Sequence, residues 1–344
     1  MVKAQKIQAA GPLDSSKPAR CILGLNAFNI LRWSLRKPLN LRVPQNLLSL
    51  LFAAMVIHAL PTKAQMQVRP FTHNGYSRSY LIYRPAHLLP QPAVVIMLGG
   101  IRSTAGSEAQ DFGWIDEANR NGFLVVFPAP VRTDLGQPID RRKNITFWEM
   151  RGSRTHILAR GGMPVDDDGY LMAVLQNVLR RDHPDRRRVF LAGFSSGSGM
   201  VQLFAARHSK YVSAVVAVAT PLMDPPARLA RPVAILYIHG DKDEQFSGFE
   251  TDSPHFATTP HGNWVTWGYL DGCRKQTART TDWGVRFSWQ DCKHQVPVVA
   301  DFVASLGHEW PGSLNSRWNQ KHRPQAPLNF TDIAWRFFAT IRAK

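Results

Sequence analysis

The pentapeptide Gly193-Phe194-Ser195-Ser196-Gly197 sets a serine between two glycines, the spacing of a nucleophile held on a tight turn. It directly follows the apolar run 189–192 and directly precedes a helical run at 200–206. A strand-to-helix elbow of this kind lifts the hydroxyl clear of the sheet edge. The backbones on either side approach closely, so minimal side chains are needed two positions before and two after. The turn also aims the hydroxyl at a helix N-terminus, whose N–H groups favour developing negative charge. The same pentapeptide arises by chance in Ser/Gly-rich loops, and its place after a buried strand is what argues for chemistry.

A serine hydroxyl needs a base to take its proton. His308 lies in the turn-rich stretch Gly307-His308-Glu309-Trp310-Pro311-Gly312, after the apolar run 298–304. A carboxylate should follow a strand and fall between the other two in sequence. The run 233–238 leads into His239-Gly240-Asp241-Lys242-Asp243-Glu244, and Asp243 sits where the strand has ended, with Asp241 and Glu244 as neighbouring alternatives. The order Ser195, Asp243, His308 is that of a serine hydrolase built on an open α/β sheet. Acyl transfer further requires two N–H donors for the tetrahedral oxyanion. The amide of Ser196 supplies one. The turn Gly99-Gly100-Ile101 after the run 94–98 supplies the other, Ile101 being preferred over Gly100. The GK[ST] ending of a phosphate-binding loop is absent. No metal-ligand spacing occurs, and no cofactor is expected.

The elements that must position these groups follow from pattern. Strands are predicted at 80–83, 94–98, 124–127, 189–192, 214–219 and 233–238. The later ones are nearly continuous apolar runs, as in strands buried on both faces of a mostly parallel sheet. Tyr170, Leu171, Val174, Leu175, Val178 and Leu179 mark one face of a helix, introduced by Asp166-Asp167-Asp168 as capping carboxylates. A last helix, 331–341, carries Trp335, Phe337 and Phe338 and is expected to pack on the sheet. Strands alternating with helices give an α/β fold, a mostly parallel central sheet flanked by helices.

The 344 residues are 44% apolar and 19% charged, ordinary globular values, with a net charge of +17. Nine of the 42 Lys and Arg and one of the 25 Asp and Glu fall in residues 1–64, a net +8 there and +9 in the rest. No dense basic block remains, so nucleic acid is not an expected partner. Residues 47–60, LLSLLFAAMVIHAL, form a 14-residue apolar run behind Arg32, Arg36, Lys37 and Arg42. With small residues before a cut after Ala64, this reads as a secretory signal. It is shorter than the ~20 residues of a permanent span, and an uncleaved anchor or a buried helix is the alternative. Residues 1–64 are therefore set apart as an extension and signal, with 65–344 as one catalytic domain in a secreted or periplasmic protein. Cys21 lies in the leader. Cys273 and Cys292 remain as a pair, and an exported chain would join them in a disulfide; two unrelated buried thiols are the other reading.

At these residues the chain resembles the polyhydroxybutyrate depolymerase, feruloyl esterase and acetylxylan esterase group of secreted α/β-hydrolases. The most specific piece is Gly307 to Gly312, which is similar to the group's G-H-x-W-P-G around its catalytic histidine. The elbow falls on Gly193 to Gly197 and the acid of H-G-x-x-D on Asp243. Asp167-Asp168-Gly169-Tyr170 resembles the group's structural helix start, and Cys273 and Cys292 its paired cysteines. Two departures stand out. The group's L-H-G is Leu98-Gly99-Gly100 here, a loss that could alter how the oxyanion turn is braced. Its Cys-Trp is Phe147-Trp148.

The resemblance implies hydrolysis of carboxylic esters through an acyl-enzyme, on acylated or feruloylated polysaccharide or on hydroxyalkanoate-type esters. Without a linker and polymer-binding module, soluble esters or short oligomers rank above solid polymer. Trp264, Trp267, Trp283, Trp289, Trp310 and Trp318 offer rings for a substrate groove, Trp310 foremost, although most should be core. The other readings are a peptidase and a non-catalytic envelope binding protein; the second predicts a missing triad residue. Oligomeric state is not readable, and specificity resides in loops.

Overall fold

The alternation of strands and helices is realised as a ten-stranded sheet in the order β1-β2-β4-β3-β8-β9-β10-β13-β12-β11. The computed structural model describes residues 63–134, 145–150, 158–159, 165–246, 260–314, 316, 321 and 328–341. The signal run at 47–60, Cys21 and Trp318 lie outside the described residues. The parallel centre is β4 (Leu124–Pro128), β3 (Val94–Leu98), β8 (Val189–Phe194), β9 (Ala214–Val218), β10 (Ala234–Gly240) and β13 (Val298–Val303). Antiparallel pairs extend both edges: β1 (Gln65–His73) with β2 (Tyr76–Arg84), and β12 (Gly284–Gln290) with β11 (Lys275–Thr281). A small second sheet joins β5 (Arg132–Asp134), β6 (Ile145–Thr146) and β7 (Leu158–Ala159) in the order β6-β5-β7.

The continuous apolar runs have the predicted cause. Along β8, Val189 and Leu191 enter one core cluster while Phe190 and Ala192 enter the other. The same split divides Ile235 and Tyr237 from Ala234, Leu236 and Ile238 on β10. Both faces are buried, so the runs stay apolar until His239 near the end of β10. On one face lie α3 (Asp167–Arg181), α4 (Ser196–Arg207) and α5 (Pro260–Leu270); on the other lie α1 (Ala105–Asp111), α2 (Trp114–Asn121) and α6 (Phe330–Thr340). Trp335 and Phe338 of α6 are buried as expected, stacked on Phe123 at 3.9 Å and Phe190 at 4.6 Å.

Of the three aspartates at the start of α3, Asp166 is the one that caps the helix, accepting from the Gly169 amide. Asp167 is buried instead and pairs with Arg78 at 2.7 Å, tying α3 to β2. Among the described residues, no helix is long and apolar enough to cross a membrane.

Cys273, just after α5, is bonded to Cys292, just after β12, closing 19 residues that include the whole edge hairpin. In the chain-entropy picture such a loop contributes ~3 kcal/mol by restricting the unfolded chain. The Cys273→Ser/Cys292→Ser double variant is expected to lose about that much in urea unfolding. An unchanged midpoint would show that the bridge contributes nothing.

Candidate active site

β8 ends at Phe194, and Ser195 takes φ +53° and ψ −125° before α4 begins at Ser196. A positive φ in a residue with a Cβ is strained, and the elbow is held by its neighbours. The Ser195 amide donates to Val218 O on β9 at 3.0 Å. The flanking glycines are required by contact. A Cβ at Gly193 would lie 2.4 Å from Gly197 O, and one at Gly197 would lie 2.2 Å from Leu98 O. Helix and strands touch backbone to backbone here, which is what the G-x-S-x-G spacing encodes.

Asp243 and His308 come from loops that leave the neighbouring strands β10 and β13 on the same side. Those loops are joined directly: the Asp241 amide donates to Val303 O, the Lys242 amide to Leu306 O, and the Ser305 amide to Asp241 Oδ1. His308 Nδ1–H donates to Asp243 Oδ2 at 2.8 Å, and the Ser195 hydroxyl donates to His308 Nε2 at 2.8 Å. The three side chains thus form one hydrogen-bonded line. Asp243 is buried and also accepts from the Gln245 amide at 3.0 Å. Burial alone would raise its carboxyl, but the hydrogen bond and charge of His308, with His239 and the Gln245 amide, hold it below its ordinary range. Asp243 is therefore an anion facing the imidazole, and the ring carries its proton on Nδ1. Asp241 is exposed and spent on the His308 loop; Glu244 is exposed.

The amide of Ser196 is the first of α4, where helical N–H groups lack intrahelical partners. In the turn after β3, three amides are occupied: Gly99 on Glu108, Arg102 on Thr146 O, and Ser103 on Gly100 O. The two amides left in that turn belong to Gly100 and Ile101, the two expected donors. Gly100 lies close to Ser195, since a Cβ on it would lie 2.9 Å from Ser195 Cβ. Two supports were not foreseen. Thr146 of β6 holds the turn from outside, its hydroxyl donating to Ser103 O at 2.6 Å. Glu108 of α1 holds it from inside, in the space the missing histidine side chain would need. The spacing of Ala105, Glu108 and Ala109 on one buried helix face is the signal that marks this acid.

The expectation that Trp310 lines a substrate groove needs correction. Trp310 is only 1% exposed, packed edge-on against Phe112, with its Nε1–H donated to Thr331 Oγ1. A ring enclosed in that way cannot stack on substrate; it anchors the His308 loop to α6. Trp264, Trp267 and Trp289 are buried in the opposite core. Among the described residues, no group of three or more His, Cys, Asp or Glu is gathered to hold a metal ion.

No family model matches the chain. Over 217 residues it is 22% identical to the bifunctional acetylxylan esterase/xylanase XynS20E of Neocallimastix patriciarum, covering 57% of this chain and 29% of that one. Over 224 residues it is 23% identical to acetylxylan esterase A of Emericella nidulans, covering 63% of this chain and 66% of that one. The chain therefore spans under two thirds of the length of each of these relatives. The solved acetyl xylan esterase from Aspergillus awamori superposes with a TM-score of 0.51 at 15% identity, over 80% of this chain and 100% of that one, a likeness of fold. Sheet order, flanking helices and the superposition agree on the α/β-hydrolase fold, and the chain is similar in sequence to acetylxylan esterases.

Proposed function

We propose that this chain is an exported serine esterase that hydrolyses carboxylic esters through an acyl-enzyme, with Ser195 as nucleophile, His308 as base and Asp243 as the group that orients the base. The line of hydrogen bonds from Ser195 through His308 to Asp243 carries this reading. Ser195 Oγ attacks the ester carbonyl carbon as its proton passes to His308 Nε2. The carbonyl oxygen gains the charge and is met by the amides of Ser196 and of Gly100 or Ile101. The C–O bond to the alcohol then breaks, His308 returning the proton to the departing oxygen. Water repeats the sequence on the acyl-enzyme and releases the acid and free Ser195. Asp243 stays ionised throughout and steadies the imidazolium.

The acyl groups expected are short ones on polysaccharide, acetate first, because the curated relatives named above are acetylxylan esterases. Feruloyl and hydroxybutyryl esters are the other members of the resembling group. Export is supported by the apolar run at 47–60 and the Cys273–Cys292 bond. The test is a hydrolysis panel of p-nitrophenyl acetate, acetylated xylan, methyl ferulate and hydroxybutyrate oligomers. Release of acetate from xylan at the highest kcat/KM is expected. A preference for ferulate or the oligomers would replace the substrate assignment, and inactivity on every ester would overturn the reading.

A further inference from the structure

Glu108 is a buried acid that the ester-cleaving steps leave unused. It sits with Ala105 and Ala109 on the core-facing side of α1 and is fully enclosed. Its Oε1 accepts from the Gly99 amide at 2.8 Å and lies 2.9 Å from Ser103 Oγ, which has a single proton to give and is also 2.7 Å from Gly100 O. Both groups belong to the turn that presents the amides of Gly100 and Ile101. Its Oε2 is buried without a hydrogen-bond partner among the described residues. With the Ser103 proton given to the nearer Gly100 O, Ser103 Oγ faces Oε1 as an acceptor, which suits a neutral acid whose Oε1–H donates to it. A carboxylate would instead place charge on the bare Oε2, which costs far more than an unpaired carbonyl oxygen. Gly99 and Glu108 also share one space, since a Cβ at Gly99 would lie 2.7 Å from Glu108 Oε1 and 2.5 Å from Ser103 Oγ.

Among the described residues no cation pairs with Glu108, and Arg102 of the turn is exposed. Of the elements packed on α1, β3 and β4 bring no charged residue. From β2 come Arg78, neutralised by Asp167 and lying over the Tyr170 ring, and Arg84, engaged by Asp182. From α2 come Asp116, Glu117 and Arg120, the last two paired with each other. Asp111 of α1 adds only negative charge.

We propose that Glu108 is a protonated strut beneath the oxyanion turn, a positioning residue whose carboxyl must remain neutral for ester hydrolysis. The proposal rests on the esterase reading for its effect on rate, but not for the titration itself. Burial pushes the carboxyl up to about 8, against its hydrogen bonds with the Gly99 amide and Ser103. Above that pH the carboxyl proton leaves to solvent. The resulting anion lies behind the very amides that must face a second negative charge in the tetrahedral intermediate, and turnover falls.

The test joins two readouts on the full chain. The first is the pH profile of kcat with p-nitrophenyl acetate for wild type and Glu108→Gln, which keeps the shape and the carbonyl acceptor but cannot ionise. Wild type should lose roughly tenfold per pH unit above the midpoint, as for a single required proton, and the variant should show no such decline. The second is the ¹³C shift of labelled glutamate carboxyls, with the signal lost in Glu108→Gln expected to titrate near 8. An alkaline decline that persists in the variant, or a Glu108 signal titrating in the ordinary carboxylate range, overturns the proposal. A wild type inactive on all esters sinks the esterase reading, and the carboxyl titration then decides the state of Glu108 alone.

Discussion

Ser195→Ala is expected to lower kcat for p-nitrophenyl acetate by about a millionfold, the scale seen when the nucleophile of a serine hydrolase is removed. The loss should fall on kcat while KM changes little, because the hydroxyl enters the bond-making step and the surrounding pocket is untouched. Folding should survive. The Ser195 side chain contributes one hydrogen bond, to His308, and the ring keeps its bond to Asp243. The positive φ at the elbow costs an alanine no more than a serine. Steady-state kinetics beside a thermal melt decide the matter. Unchanged turnover in a folded variant would remove Ser195 from its role, whereas a variant that melts far below wild type calls for Ser195→Cys as the replacement test.

Asp243→Asn is expected to cost about 10⁴ in kcat. The imidazole now donates from Nδ1 to a buried anion, and that fixes Nε2 as the acceptor for the serine proton. An amide offers the ring a donor as readily as an acceptor, so the wrong tautomer is favoured and the base is lost. The comparison that isolates this effect is Asp241→Asn. Asp241 is exposed and accepts from the Ser305 amide, a bond the asparagine carbonyl can still accept, so the change should cost little stability and little turnover. If Asp241→Asn proved the more damaging to kcat, the assignment of the acid would have to move.

What was legible in the sequence is what burial imposes on both faces of a strand. The runs around Val95, Leu191 and Leu236 are apolar without interruption because each residue meets one of two cores. Strands β1 and β11 left no such trace, since they are sheet edges whose side chains mostly face water. The elbow, the acid and the histidine were legible because each occupies a turn whose residue types are constrained by contact. The support around them was not. Glu108 reads in the sequence as an ordinary charge, and only the absence of a side chain at Gly99 explains how it fits. Trp310 was misassigned for a related reason: its place beside His308 suggested substrate, while its ring holds the loop from within.

The cross-strand stitching of the Asp241 and Leu306 loops divides the site mechanically into two parts. Asp243 and His308 ride together on adjacent strands, and Ser195 rides on another, separated from them by β9. Thermal distortion therefore acts mainly on a single coordinate, the gap between the hydroxyl and the ring. Changes of loop length elsewhere around the rim can reshape what binds without altering how the proton is passed.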